Sequence, residues 1–372
     1  MDKQTVVVLF GGRSSEHSIS SATAGGVLQS IDRDRYDVIP VGITREGAFV
    51  LEDDDPAKFA LDAAHLPEVV DNGSRIRWPE PSGDRRLRVV APDGSLTDLG
   101  EVDVVLPLLH GLHGEDGAIQ GFFDVIDLPY AGGGILDSAV CLDKHFTKLA
   151  LSAAGIAVSP GITVRATQWA ADPDSVRTAV AALGSVVFVK PADAGSSVGV
   201  TRVDDGDGLD DAMRIAFAES DKALVETKTV GREIEVGVLA GRGGERARAS
   251  LPGEVVLTTR NFYDFEGKYL GGDGVEIVCP ADVDDELVER LRETAVRAFE
   301  AVDGKGLARV DFFVTPDGAL VVNELNTMPG FTPISMFPKC WVASGLSYGD
   351  LISELIEAGA GRQPDGVPSS RS

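Results

Sequence analysis

Residues 6–12 read VVVLFGG, and that stretch decides the fold class. Five successive apolar side chains leave the strand no polar face, so both of its sides must be covered. A run of this kind ending in two glycines reads as a buried parallel strand entering a turn. Working outward, residues 18–31 suit a helix with small residues on one side, and residues 36–42 suit a second strand. Residues 102–109 (VDVVLPLL) repeat the first pattern and run directly into His110 and Gly111. Alternation of this sort gives an open α/β sheet. Ligands of such sheets sit beyond the carboxyl ends of the strands. Gly11-Gly12 and His110-Gly111 both occupy that position.

Between these strands, residues 52–99 are rich in Asp, Pro, Gly and Arg, with one candidate strand at 87–91. They read as a peripheral insertion. A second unit opens near Gly132, with a helix over 143–154, a strand over 186–189 and a returning strand over 197–203. A third opens near Glu226, with strands over 233–239, 309–314 and 319–325. Residues 284–302 place Leu287, Leu291, Ala295, Phe299 and Val302 on one helical face, and Gly304 closes the helix. The polar stretch 363–372 reads as a disordered tail. The expected units are therefore 1–132, 133–225 and 226–362.

The chain has 372 residues, of which 43% are hydrophobic and 25% charged, an ordinary globular balance. Lys and Arg number 34 against 59 Asp and Glu, a net charge of −25. That excess argues against nucleic acid and against anionic membranes, whose phosphates need basic partners. An anionic substrate would need the few cations gathered locally. The 3 cysteines, Cys141, Cys279 and Cys340, show neither CxxC nor zinc spacing. A sparse, odd count fits a reducing compartment. No apolar run approaches the roughly 20 residues of a membrane span. The expected location is the cytoplasm.

Five stretches could carry chemistry. In 309–326, two alternating runs flank the turn signal Pro316-Asp317-Gly318, so the segment reads as a hairpin. A two-residue turn would pair 309 with 324 and 311 with 322. Arg309, Asp311, Glu324 and Asn326 would then share one face. Two carboxylates and an amide oxygen suit a hard cation such as Mg²⁺. The apolar neighbours argue against a merely solvated face. In KPADAGSSVG (190–199), a glycine-rich turn with two hydroxyls follows an apolar strand. Its backbone N–H groups can wrap phosphate, with Lys190 adding a point charge. It is neither a Walker A loop nor GxGxxG. In HGLHGEDG (110–117), two histidines lie in a flexible loop, which favours substrate contact over zinc ligation. Glu16, in GGRSSEH (11–17), reads equally well as a helix-start acid or as a carboxylate aimed at a cation. NFYDFEGKY (261–269) mixes aromatics and charges as an ordered lid does. The lid would span 260–274.

Taken together and in this order, these residues resemble the D-alanine–D-alanine ligases, within the ATP-grasp fold. The matching motifs are GGRSSEHSIS, HGLHGEDGAIQG, LDKHFTK, VFVKPADAGSSVGV, GREIEVGVL, NFYDFEGKY, LARVDFFV and NELNTMPGFTPISMFPK. They run from about residue 6 to about residue 357. The resemblance implies a three-domain ATP-grasp architecture in which ATP is clamped between the second and third units. It implies that one D-alanine carboxylate takes the γ-phosphoryl of ATP and that the amine of a second attacks the acyl phosphate, for peptidoglycan precursor synthesis.

The resemblance also implies roles. Asp311, Glu324 and Asn326 would hold two Mg²⁺ or Mn²⁺ ions, with a monovalent cation a further candidate. Lys144 and Lys190 would contact the α- and β-phosphates, Lys268 the γ-phosphate, and Ser196 would close over them. Glu226 and Glu233 would read the adenine amine and the ribose. Glu16 would bind the first D-alanine ammonium beside His110, in a triad with Ser197 and Tyr269. Arg309 and the Gly330 N–H would form an oxyanion hole, and Ser335 and the Met336 amide would hold the second carboxylate. A homodimer is implied as well.

The intact FYDFEGKY pattern favours an amine nucleophile over D-lactate, with D-lactate or D-serine ligation as the alternative. A nicotinamide oxidoreductase is disfavoured, because GGRSSE is not GxGxxG and a metal-holding hairpin has no role in hydride transfer. A non-catalytic nucleotide-binding module would not require Glu16, Tyr269 and Arg309 together.

Overall fold

A computed structural model of the chain describes residues 3–61, 65–81, 83–195, 198–257 and 275–362. The expected lid and tail, and Ser196, Ser197, Lys268 and Tyr269 with them, lie outside the described residues.

The first sheet contains β1 (Gln4–Gly11), β2 (Tyr36–Ile43), β3 (Phe49–Leu51) and β7 (Val104–Pro107), in the order β3-β2-β1-β7. β1 pairs in parallel with both β2 and β7, and β3 joins β2 antiparallel. The alternation of β1 explains its apolar run over 6–10. Val6, Val8 and Phe10 enter one core and Val7 and Leu9 another, all fully buried. The first core is completed from far along the chain, by Phe331, Phe337 and Trp341 and by Leu351, Ile352, Leu355 and Ile356. Helices Met336–Ala343 and Tyr348–Ala360 thus serve the first unit as well as the third.

The second core corrects the reading of 52–99 as peripheral. That segment forms an antiparallel sheet of β4 (Arg75–Arg77), β5 (Arg86–Val90) and β6 (Leu96–Glu101). Ile76, Leu87 and Val89 pack with Phe123 and Tyr130, and Trp78 meets Phe49, Phe122 and Phe123 edge-on. Phe59 and Val69 are buried in the other core. Each strand is short and its outward side is charged, so the apolar inward side gave little signal.

A second sheet, in the order β10-β9-β11-β8, is formed by β8 (Gly161–Arg165), β9 (Val186–Pro191), β10 (Thr201–Asp204) and β11 (Lys222–Thr227). β10 starts at Thr201, later than the expected 197. Glu226 lies on β11, inside this sheet, so the sheets themselves divide between Thr227 and Arg232 rather than at Glu226.

The third sheet has six strands, in the order β15-β14-β12-β16-β17, with β13 also on β12. They are β12 (Arg232–Leu239), β13 (Arg248–Ala249), β14 (Gly253–Leu257), β15 (Val275–Val278), β16 (Leu307–Val314) and β17 (Leu320–Asn326). Helix Asp285–Ala301 covers it with Leu291, Ala295 and Phe299 inward, and Asp284 caps its start by accepting from the Leu287 N–H at 2.8 Å. Cys141, Leu151 and Ile156 enter the same core. Helices Ile135–Leu142 and Lys144–Ala153 therefore pack on the third sheet, although the sequence assigned them to the second unit. Cys279 and Cys340, distant in sequence, meet as free thiols with Sγ atoms 3.7 Å apart.

The β16–β17 register differs from the expectation. Arg309 pairs with Asn326 and Asp311 with Glu324, then Phe312 pairs with Val322. Asn323 is bulged out, and the connection spans 315–319, with Thr315 N–H bonded to Ala319 O at 3.0 Å. The bulge lets Val322 stay in the core while Glu324 and Asn326 join Arg309 and Asp311 on the opposite face.

Candidate active site

The carboxyl ends of β1 and β7 meet the bulged hairpin at a small cavity of about 60 Å³. Glu16, His110, Glu115, Arg309 and Gly330 line it, together with Lys144, Gly195 and Glu324. A larger cleft of about 370 Å³ adjoins it, between the second and third sheets. Lys144, Ala194, Gly195 and Glu324 line both, so the two form one continuous site.

Gly11 and Gly12 make the turn after β1 at φ +91° and +101°. A Cβ on Gly11 would stand 2.4 Å from the Ile43 carbonyl oxygen, so only glycine closes this turn. His17 fixes the loop that follows. Val69 N–H donates to its Nε2 at 2.9 Å, so Nδ1 carries the proton and donates to Gly12 O at 2.7 Å. Glu16 stands at the start of helix His17–Ser30 without capping it. Its carboxylate points at the cavity instead. A Cβ on Gly111 would lie 3.0 Å from its Oε2, and one on Gly195 3.4 Å. Glu16 thus lines the cavity and makes no capping hydrogen bond to the helix.

His110 and Glu115 grip both backbone groups of one residue, Met328, in the chain after β17. His110 Nδ1 donates to Met328 O at 3.0 Å, and Met328 N–H donates to Glu115 at 3.3 Å. Gly111 N–H donates to the other Glu115 oxygen at 2.7 Å. Burial depresses the His110 pKa, which keeps the ring neutral, whereas burial and the nearby Glu16 push Glu115 up to about 8. Two loops more than 200 residues apart are thereby fastened beside Gly330.

On the hairpin face, Arg309 Nε lies 2.7 Å from Asp311 and 2.9 Å from Glu235, and its Nη2 donates to Asp311 at 2.8 Å. Asn326 Nδ2 also donates to Asp311, at 3.0 Å. Lys144 bonds Ala194 O at 2.8 Å and stands 3.5 Å from Glu324. Asp311, Glu324 and the Asn326 amide supply the hard oxygen donors that suit a divalent metal, and here Arg309 and Lys144 stand beside the two carboxylates. Among the described residues, no three His, Cys, Asp or Glu side chains form a metal-site cluster.

The larger cleft holds Lys190, Glu226 and Glu233 between apolar walls that include Phe188 and Phe313. The structure thus brings together Glu16, His110, Lys144, Lys190, Glu226, Glu233, Arg309, Asp311, Glu324, Asn326 and Gly330. Ser335 and Met336 line neither cavity. Ser335 starts helix Met336–Ala343 and bonds Thr332 at 2.7 Å, and the Met336 side chain is buried with Val255 and Cys340.

Sequence reading missed Lys148, Glu235 and Glu115. Lys148 follows Lys144 by four residues on one helix, a spacing that shares a face and could have flagged it.

Two family models account for the chain: "D-ala D-ala ligase N-terminus" matches residues 5–133 and "D-ala D-ala ligase C-terminus" residues 150–357. The chain belongs to the D-alanine–D-alanine ligase family. A D-alanine--D-alanine ligase of Arthrobacter sp. (strain FB24) is 51% identical over 356 residues, 95% of this chain and 93% of that protein. That of Kineococcus radiotolerans is 50% identical over 372 residues, 98% of each. Among solved structures, the D-alanine-D-alanine ligase from Coxiella burnetii is 33% identical with a TM-score of 0.80, covering 97% of this chain and 94% of that one. The VanG D-Ala:D-Ser ligase from Enterococcus faecalis is 31% identical with a TM-score of 0.81, covering 96% and 99%. The expected ATP-grasp architecture agrees with these neighbours. No helix among the described residues is long and apolar enough to cross a membrane.

Proposed function

We propose that this chain joins two D-alanine molecules into D-alanyl-D-alanine at the expense of ATP, releasing ADP and phosphate. The observation that carries the reading is the continuity of the two cavities through Lys144 and Glu324. It brings a cleft of nucleotide size against a small cavity lined by Glu16, Arg309 and Gly330.

In this reading the cleft takes ATP, its base between Phe188 and Phe313 with the amine toward Glu226, its ribose toward Glu233, and its phosphates toward Lys144 and Lys190. Asp311, Glu324 and Asn326 would hold Mg²⁺ or Mn²⁺, two ions by the family pattern. When bound, a divalent cation neutralises phosphate charge and so eases attack by an anionic carboxylate. Glu16 would hold the ammonium of the first D-alanine beside neutral His110. The substrate carboxylate oxygen attacks the γ-phosphorus, the bond to ADP breaks, and a D-alanyl phosphate results. The amine of the second D-alanine then attacks that carbonyl carbon. Arg309 and the Gly330 N–H would donate to the developing oxyanion, worth several kcal/mol for preorganised donors. Phosphate leaves as the amide forms.

Ser335 and the Met336 amide remain our assignment for the second carboxylate, and Lys268, Ser196, Ser197 and Tyr269 complete the proposal from the motifs. A cytoplasmic homodimer activated by a monovalent cation goes with the same reading.

The test is phosphate release from Mg-ATP with D-alanine, with D-alanine plus D-lactate, and with D-alanine plus D-serine, the products being identified by mass. Formation of the D-alanyl dipeptide from D-alanine alone is expected. No turnover with D-alanine despite ATP binding would overturn the substrate assignment. A product containing D-serine or D-lactate made in preference would select the alternative.

A further inference from the structure

Glu226 has a cation on each oxygen. Lys148 Nζ lies 2.5 Å from Oε1 and Lys190 Nζ 2.5 Å from Oε2. The Glu226 side chain is 4% exposed, Lys148 9% and Lys190 12%. The two lysines are not equivalent. Lys190, at the end of β9, lines the cleft, so a phosphate can draw it away. Lys148 approaches from helix Lys144–Ala153 and does not line the cleft, so a phosphate in the cleft does not compete for it directly. Gly161, opposite Glu226 on β8, leaves the carboxylate its space, since a Cβ there would lie 2.9 Å from Glu226 Cγ.

A carboxylate this enclosed tends toward its neutral form unless a cation stays with it. Here burial raises Glu226, yet Lys190 and Lys148 outweigh it and hold the group below its ordinary value. Ionised, Glu226 only accepts hydrogen bonds. It favours a base with an amino group at its edge and repels one with a carbonyl there. Neutral, it could serve either.

We propose that Lys148 is a positioning residue that keeps Glu226 an ionised, acceptor-only group in the base slot and thereby sets the preference for 6-amino over 6-oxo purine nucleotides. The proposal rests on the reading that Glu226 faces the adenine amine.

The experiment compares kcat/KM for ATP and ITP, which differ at that purine position. Lys148→Met is expected to raise the KM for ATP about tenfold and to cut the ATP-over-ITP preference at least about tenfold, with kcat at saturating ATP changing far less. Lys148→Arg, which keeps the charge, is expected to recover most of the preference. Glu226→Gln is expected to lose the preference as well, and adding Lys148→Met to it should change the preference no further, because Lys148 acts through Glu226. If Lys148→Met does not fold, Lys148→Gln carries the same comparison. An unchanged preference in Glu226→Gln would overturn the placement of the base, and the proposal with it. A lost preference in Glu226→Gln but an unchanged one in Lys148→Met, at wild-type Tm, would overturn the role of Lys148 alone.

Discussion

Asp311 stands directly opposite Glu324 across the β16–β17 ladder, while its neighbour Phe312 pairs with Val322. One bulged residue, Asn323, absorbs the difference. Deleting Asn323 would make Val322 and Glu324 adjacent in β17, so that plain alternation keeps Val322 in the core and Glu324 beside Asp311. The deletion is therefore expected to hold Tm within a few degrees of wild type, as is Asn323→Ala, which keeps the extra residue. Were Asn323 an in-register residue, its deletion would drive Glu324 into the core, where a carboxylate without its cation is costly. Calorimetry on the two variants checks this, and a collapse of Tm in the deletion alone would refute the account.

The hairpin face leads to a second prediction. Asp311 accepts from Arg309 and from Asn326. Asp311→Asn removes a charge from the proposed metal set and takes one of the two carboxylates from Arg309, leaving it Glu235. Turnover is expected to fall about 100-fold or more, and the Mg²⁺ concentration for half-maximal rate to rise. Phosphate release across an Mg²⁺ titration reads both. An unaltered Mg²⁺ requirement would remove Asp311 from the metal set.

How far these features could be read beforehand depends on the physics of each. VVVLFGG was legible because burial on both faces of a parallel strand demands an unbroken apolar run. The shared face of Arg309, Asp311, Glu324 and Asn326 was legible from period-two alternation, but the pairing was not. A bulge depends on which partner strand must bury Val322, and nothing local in the sequence states that. In the 52–99 segment the strand near 87–91 was legible as β5, but its place in the core was not, and β4 and β6 were hidden because strands of three to six residues alternate too briefly against their charged side. Lys148 and Glu115 were not singled out because their partners, Glu226 and Met328, lie far along the chain.

Glu115 gives a pH-dependent prediction. Burial, and after it Glu16, raise its pKa from 4.5 to about 8. The folded state therefore binds a proton that the unfolded chain releases, and stability falls as pH rises from 4.5 toward 8. Glu115→Gln fixes a neutral group that cannot titrate. The Tm of the wild type minus that of the variant is expected to decline from about pH 5 to about pH 9. A difference that stays flat across this range would mean that Glu115 is ionised throughout.

His17 gives the opposite slope. Burial depresses its pKa, and both ring nitrogens are engaged, Nδ1–H with Gly12 O and Nε2 with the Val69 N–H. Only the neutral ring can serve both. A group with a lowered folded pKa contributes stability that is present above its ordinary value of 6.5 and lost as pH falls through the folded value. His17→Phe fills much of the volume but leaves the Gly12 carbonyl and the Val69 N–H unpaired, at about 1–3 kcal/mol each. The variant is expected to lose most stability near neutral pH and relatively less in acid, where wild-type His17 is itself compromised. Denaturant unfolding of both proteins at several pH values reads the slope. Amide exchange at Val69 adds a local readout, since the N–H that His17 holds should lose its protection in the variant while the β1–β2 ladder keeps its own.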